Sequence, residues 1–239
     1  LVHALGHSAH NYDHVAPLLN QRHRVIAIDL RGHGDSDWSP KAEYSAEDYV
    51  KDLHALVTQL KLGPVTLIGC SIGGRIVLHL AHQHPDRFRA LIGLESAPYA
   101  EAYYDLSWLN RPDVHGGMVC AGVVSGLIAP TVAATERWET LWHYMQSGPG
   151  VFKGDLYFYT TPDGDIRDKL DQIDVKLCRL FLLTGEYDYS CTAEATLDIA
   201  KRTGAPATIM KGLGHFPMSE DTEKFVSYLL PVLEKIRAI

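Results

Sequence analysis

The stretch Pro64-Val65-Thr66-Leu67-Ile68-Gly69-Cys70-Ser71-Ile72-Gly73-Gly74-Arg75 decides how this chain is read. An apolar, β-branched run ends at Cys70. A helical pattern, 72–84, begins directly after Ser71. The junction carries G-x-S-x-G with a further glycine at 74. Small residues two before and two after Ser71 let neighbouring backbone pass close to a sharp strand-to-helix turn. Such a turn lifts the hydroxyl into the open at the carboxyl end of the strand. It also sets the hydroxyl beside the free N–H groups of a helix N-terminus. Ser71 is therefore the candidate nucleophile.

Working outward, the same rhythm repeats. Residues 24–30, 64–70, 90–94, 180–184 and, more weakly, 207–210 read as strands. Near-continuous apolar runs of this length suit parallel strands buried on both faces. Helical patterns lie at 46–61, 72–84, 192–203 and 219–236. Strands alternating with helices predict an α/β fold with a mostly parallel, doubly wound sheet. Residues 97–175 break the rhythm. They hold several prolines and a helical stretch at 131–146, and read as an inserted helical cap on a core made of 1–96 and 176–239. Leu1-Val2-His3-Ala4 reads as the end of a buried strand, so a leading segment is expected before it. Without such a segment, 24–30 is expected to be an exposed apolar edge.

A serine hydroxyl needs a base to take its proton. Of 13 histidines, only His215 lies after residue 188. It sits in Gly212-Leu213-Gly214-His215-Phe216-Pro217, a loop after the 207–210 strand that is expected to let the ring swing towards Ser71. Asp188, in Gly185-Glu186-Tyr187-Asp188, follows the 180–184 strand and is the first candidate for the acid that orients the imidazole. Glu95, at the end of the 90–94 strand, and Glu186 are the alternatives.

Taken in order, these motifs resemble the α/β-hydrolase fold superfamily, in its serine-nucleophile esterase- and lactonase-like branch, over nearly the whole chain. Leu1-Val2-His3-Ala4-Leu5-Gly6 resembles the family's oxyanion loop. Asp29-Leu30-Arg31-Gly32-His33-Gly34-Asp35-Ser36 resembles its D-x-R-G-x-G-x-S turn. The resemblance implies a Ser71–His215–Asp188 triad, with the backbone N–H groups of Leu5 and Ile72 as oxyanion donors. It implies structural roles for His3, Asp29, Arg31 and Ser36. The family's His-Gly is His3-Ala4 here, and alanine would strain the loop if its backbone required a positive φ.

Composition narrows the remaining options. With 22 Lys and Arg against 29 Asp and Glu, the formal net charge is −7, which argues against nucleic acid as a partner. No apolar run is long enough to span a bilayer. The four cysteines form no C-x-x-C, and neither H-E-x-x-H nor a strand-borne G-x-G-x-x-G occurs, so no metal or organic cofactor is expected. Cys70 stands beside the nucleophile. Half of the 22 aromatic residues fall between Tyr99 and Tyr159. Trp108, Trp138 and Trp142, with Phe216, are candidates to line a pocket for a hydrophobic or aromatic small molecule. Gly116, Gly117, Gly148 and Gly150 are candidate cap hinges.

The expected activity is hydrolysis of a carboxylic ester or lactone through an acyl-enzyme, by a cytoplasmic monomer or dimer. The alternatives are a carbon–carbon hydrolase of the meta-cleavage type and, further off, a receptor-like ligand-binding protein of the same fold. Cys70 and Phe216 stand where the meta-cleavage enzymes carry Asn and often Trp, and both differences count against that alternative.

Overall fold

In the computed structural model, residues 1–41, 43–99, 118–144 and 162–238 are described. Four strands, β1 (Thr66–Cys70), β2 (Ala90–Leu94), β3 (Leu180–Gly185) and β4 (Ala207–Met210), form one sheet in that order. All pairs are parallel. The helices are α1 (Val15–Leu19), α2 (Ala46–Gln59), α3 (Ile72–Gln83), α4 (Met118–Leu127) and α5 (Ala134–Tyr144). After them come α6 (Val175–Cys178), α7 (Ala193–Thr203), α8 (Pro217–Glu220) and α9 (Thr222–Arg237). Helix α3 packs on β1 and β2, and α7 packs on β3 and β4. Every residue of β2 is buried, as its unbroken apolar run predicts for a central parallel strand.

Local chemistry explains the helix boundaries. Ser45 and Asp48 form a reciprocal capping box that starts α2, and its buried face repeats at Ala46, Tyr49, Val50, Leu53 and Val57. The single helix expected over 219–236 is two. Asp221 is extended (φ −158°), and its carboxylate accepts the Lys224 N–H, so it ends α8 and caps α9.

The expected 24–30 strand forms only an isolated bridge. Val2 lies between Ile28 and Gly69, parallel to both. The Leu1 amino group donates to the Ile26 carbonyl at 2.7 Å. Val25 to Ile28 are half-buried.

The helices α4 and α5 of the 97–175 interval pack on each other. Helix α5 also touches α8 and the 3-10 helix Ala9–Tyr12. Thr140 and Ser219 share a hydroxyl hydrogen bond of 2.8 Å across that contact. The candidate hinges at 116, 117, 148 and 150, and all aromatic residues of the aromatic-rich stretch but Tyr99, Trp138, Trp142 and Tyr144, lie outside the described residues.

Several histidines are buried and neutral. Burial lowers His7 from its ordinary value of 6.5 to about 3, and His79 to about 4. Below pH 6.5 the unfolded chain therefore binds protons that the folded chain refuses. The stability these histidines contribute is present above pH 6.5 and is lost as pH drops towards 4. For His79 that loss is ~3 kcal/mol at pH 4. Urea unfolding of wild type and His79→Gln from pH 7 to 4 checks this: their difference should shift towards the variant as pH falls, and a constant difference contradicts it.

Candidate active site

Parallel strands deliver their following loops to one edge of the sheet. Ser71 follows β1, Glu95 follows β2, Asp188 follows β3 and His215 follows β4. The elbow at Ser71 is strained, with φ 57° and ψ −110°. Its glycines are there for room. A Cβ on Gly69 would strike the Gly73 carbonyl, one on Gly73 would lie 2.9 Å from the Val2 and His3 carbonyls, and one on Gly74 would strike Ser96 Oγ. The turn is thus wedged between residues 2–3 and the end of β2. The Ser71 N–H donates to the Leu94 carbonyl, while the Ser71 carbonyl receives Arg75 N–H and starts α3.

His215 Nε2 lies 2.9 Å from Ser71 Oγ, and His215 Nδ1 lies 2.6 Å from Asp188 Oδ2. Asp188 Oδ1 accepts the Ser190 and Cys191 N–H groups at 2.8 and 2.9 Å. All three side chains are buried. Burial alone would raise the Asp188 pKa, yet the His215 charge and hydrogen bonds from His215 and Glu95 hold it below the usual carboxylate range. An imidazole held between a hydroxyl and a carboxylate is the arrangement that can turn a serine into a nucleophile.

The His215 loop is fastened rather than free to swing. Its N–H donates to the Leu127 carbonyl at 3.0 Å. The Phe216 ring stands perpendicular to the imidazole, 4.8 Å away. Buried Glu220, which the sequence reading missed, accepts Gly214 N–H at 2.7 Å, Phe216 N–H at 2.9 Å and Ala129 N–H at 3.2 Å. It therefore ties both neighbours of His215 to the turn after α4. Burial raises its pKa, and the three N–H donors oppose that. Its only sequence signal is an acid in the first turn after the histidine loop, which is too common to single out. Glu220→Ala leaves three buried donors without their acceptor, an expected cost of about 3 kcal/mol. An unchanged unfolding midpoint would contradict this role.

The other expected residues divide. Glu186 is on the outside, accepting Lys211 Nζ and Gly212 N–H at 2.8 and 3.0 Å, as the opposite strand face requires. Glu95 is buried beside Asp188, so both remaining acid candidates share the site. Ile72 opens α3, where backbone donors are free of helical acceptors. Leu5 lies in the turn closed by His7 N–H on the Ala4 carbonyl at 3.2 Å. The positive φ there falls on Gly6 (73°) and not on Ala4, so alanine fits without strain. His3 buttresses the loop, donating from Nδ1 to the Ala4 carbonyl and accepting Leu30 N–H at Nε2. Asp29 accepts the Ala9 and Asp35 N–H groups, Ser36 Oγ donates to the Asp29 carbonyl, and Arg31 grips Asp52 with two nitrogens.

The aromatic candidates are redistributed. Trp138 and Trp142 are 70% and 64% exposed. They stand four residues apart on one face of α5, while Thr140, Leu141 and Tyr144 turn inward. Phe216 is buried against the His215 ring and steadies it. Trp108 lies outside the described residues. Burial pushes the Cys70 and Cys191 thiols well up, away from the reactive thiolate. Ligand atoms of Asp188, Cys191 and His215 gather within 4.8 Å of one another. The Asp188–His215 hydrogen bond already engages two of them, and the third is a protonated thiol.

Known proteins share this plan. A family model described as alpha/beta hydrolase fold matches residues 1–113. An uncharacterized protein of Mycobacterium tuberculosis is 38% identical over 248 residues, covering 95% of this chain and 72% of the relative. The pimeloyl-[acyl-carrier protein] methyl ester esterase of Neisseria meningitidis is 34% identical over 267 residues, covering 99% and 76%. Among solved structures, the enol-lactonase of Burkholderia xenovorans superposes with a TM-score of 0.85 at 19% identity, covering 98% of this chain and 89% of that one. Among the described residues, no helix is long and apolar enough to cross a membrane. A strained serine elbow, loops gathered at one edge of a parallel sheet and relatives aligned along nearly the whole chain lead to one assignment: the chain belongs to the alpha/beta hydrolase fold family.

Proposed function

We propose that this chain is a serine hydrolase that cleaves a carboxylic ester or lactone of a hydrophobic small molecule through an acyl-enzyme on Ser71. One observation carries the reading: Ser71 Oγ, His215 and Asp188 form an unbroken, buried hydrogen-bonded chain on a strained elbow. Ser71 Oγ bonds to the substrate carbonyl carbon as its proton passes to His215 Nε2. The carbonyl electron pair moves onto oxygen, where the N–H groups of Leu5 and Ile72 receive it. The imidazolium then returns the proton to the departing alkoxide as the carbon–oxygen bond breaks. Water, deprotonated by His215, repeats the attack and releases the acid and Ser71. In this reading residues 97–175 cap a core of 1–96 and 176–239, and the leaving alcohol of a lactone stays tethered to its acid.

The Neisseria relative is named for ester hydrolysis, which supports the ester reading. A fluorophosphonate probe followed by peptide mapping tests the nucleophile, with label expected on Ser71. A panel of p-nitrophenyl esters, aromatic esters and lactones tests the substrate class. A coloured dienoate belongs in the same panel. Bleaching of the dienoate without ester turnover would replace this reading by carbon–carbon hydrolysis. Tight ligand binding with turnover far below about 1 s⁻¹ would replace it by the receptor-like alternative.

A further inference from the structure

Behind the triad stands a second buried carboxyl. Glu95 adopts a left-handed backbone (φ 47°), uncommon for a residue with a side chain. Its N–H donates to the Leu183 carbonyl, and both of its carboxyl oxygens lie 2.9–3.0 Å from Gly185 N–H. Both carboxyls are buried and both engage Gly185, Glu95 at its N–H and Asp188 through its own N–H on the Gly185 carbonyl, which sets the two groups close enough to act on one another. Two ionised carboxylates are acceptors only, so a hydrogen bond between them requires a proton. The donors present decide which side holds it. Asp188 receives two backbone N–H groups and the His215 Nδ1–H, whereas Glu95 receives one N–H. The anion belongs where the donors are, and the proton belongs on Glu95.

We propose that Glu95 is a positioning residue that carries the proton of a carboxyl pair with Asp188, donating it as a hydrogen bond and so holding Asp188 as the anion that faces His215. This rests on the serine-hydrolase reading of the same site. Other groups facing the pair are Cys191 from the turn after β3, Cys70 from the elbow, Glu220 from α8 and Arg75 from α3. Arg75 donates to the Ala97 carbonyl beside Glu95. Burial, together with the negative charge of Asp188, pushes the Glu95 carboxyl well above its ordinary range, consistent with that placement of the proton.

The test compares wild type, Glu95→Gln and Glu95→Ala. A glutamine amide donates to Asp188 as the Glu95 proton does, and its oxygen accepts Gly185 N–H. Glu95→Gln is therefore expected within about tenfold of wild-type kcat. Glu95→Ala is expected to lose about 10- to 100-fold in kcat with KM unchanged. Wild-type kcat/KM should fall at alkaline pH as Glu95 ionises beside Asp188, and Glu95→Gln should lack that component. The infrared difference spectrum, wild type minus Glu95→Gln at neutral pH, should show the carbonyl stretch of a protonated carboxylic acid. Absence of that band overturns the proposal, as does Glu95→Gln falling to the level of Glu95→Ala. The spectrum needs no turnover and remains readable if Glu95→Ala fails to fold. Its failure is therefore distinct from failure of the serine reading, which would appear as an active Ser71→Ala.

Discussion

Ser71→Ala lowers kcat for p-nitrophenyl esters by about 10⁴- to 10⁶-fold, with the fold intact. The magnitude follows from removing the atom that forms the acyl-enzyme, after which only binding and oxyanion contacts remain to assist water. The substitution also takes away the hydrogen bond between Oγ and His215 Nε2. Leaving that buried ring nitrogen without the hydroxyl costs about 1–2 kcal/mol, so the melting temperature should move by a few degrees. Alanine at φ 57° bears the same backbone strain as serine, which keeps the comparison fair. The measurement is burst and steady-state kinetics on esters, with circular dichroism as the control. Wild-type turnover in the folded variant would remove Ser71 from the mechanism.

Asp188→Asn comes next in size, with an expected loss of about 10⁴-fold in kcat. The reason lies in how Asp188 is held. Its Oδ1 accepts two backbone N–H groups, from Ser190 and Cys191. In the asparagine variant only the amide oxygen can take that place, so the amide nitrogen turns to His215 Nδ1. A donor there drives the ring proton to Nε2, the atom that must accept the Ser71 proton. The variant should therefore fold, bind substrate with a similar KM and fail at proton transfer. Nitrogen NMR of His215 should report the exchanged tautomer. A loss smaller than tenfold would show that the carboxylate charge and the tautomer it sets are dispensable.

Much of this architecture was legible in the residues. The runs 64–70, 90–94, 180–184 and 207–210 each became a strand within two residues of the expected bounds, because an apolar β-branched run has few other ways to bury itself. The order of Ser71, Asp188 and His215 was legible because each follows a strand. The 24–30 run was legible as extended and apolar, but whether such a run joins a ladder depends on what it pairs with, and among the described residues it makes a single bridge, Ile28 to Val2. Trp138 and Trp142 were legible as sharing a helix face, but which face turns outward depends on what packs on the other side.

Features set by contacts between chain neighbours follow from the residues directly. The elbow needs Gly69, Gly73 and Gly74 because the atoms that crowd them belong largely to that turn and the strand ends it touches. The capping box at Ser45 and Asp48 lies within one turn of helix. Meetings between distant residues depend on how the elements pack. Parallel pairing of Leu94 with Leu183 sets the register that brings Glu95 to Gly185 and Asp188. Glu220 reaches the turn after α4 through packing 91 residues away along the chain. A carboxyl reads alike in a sequence whether it is solvated or buried. Only burial beside another carboxyl decides which of the two keeps its proton.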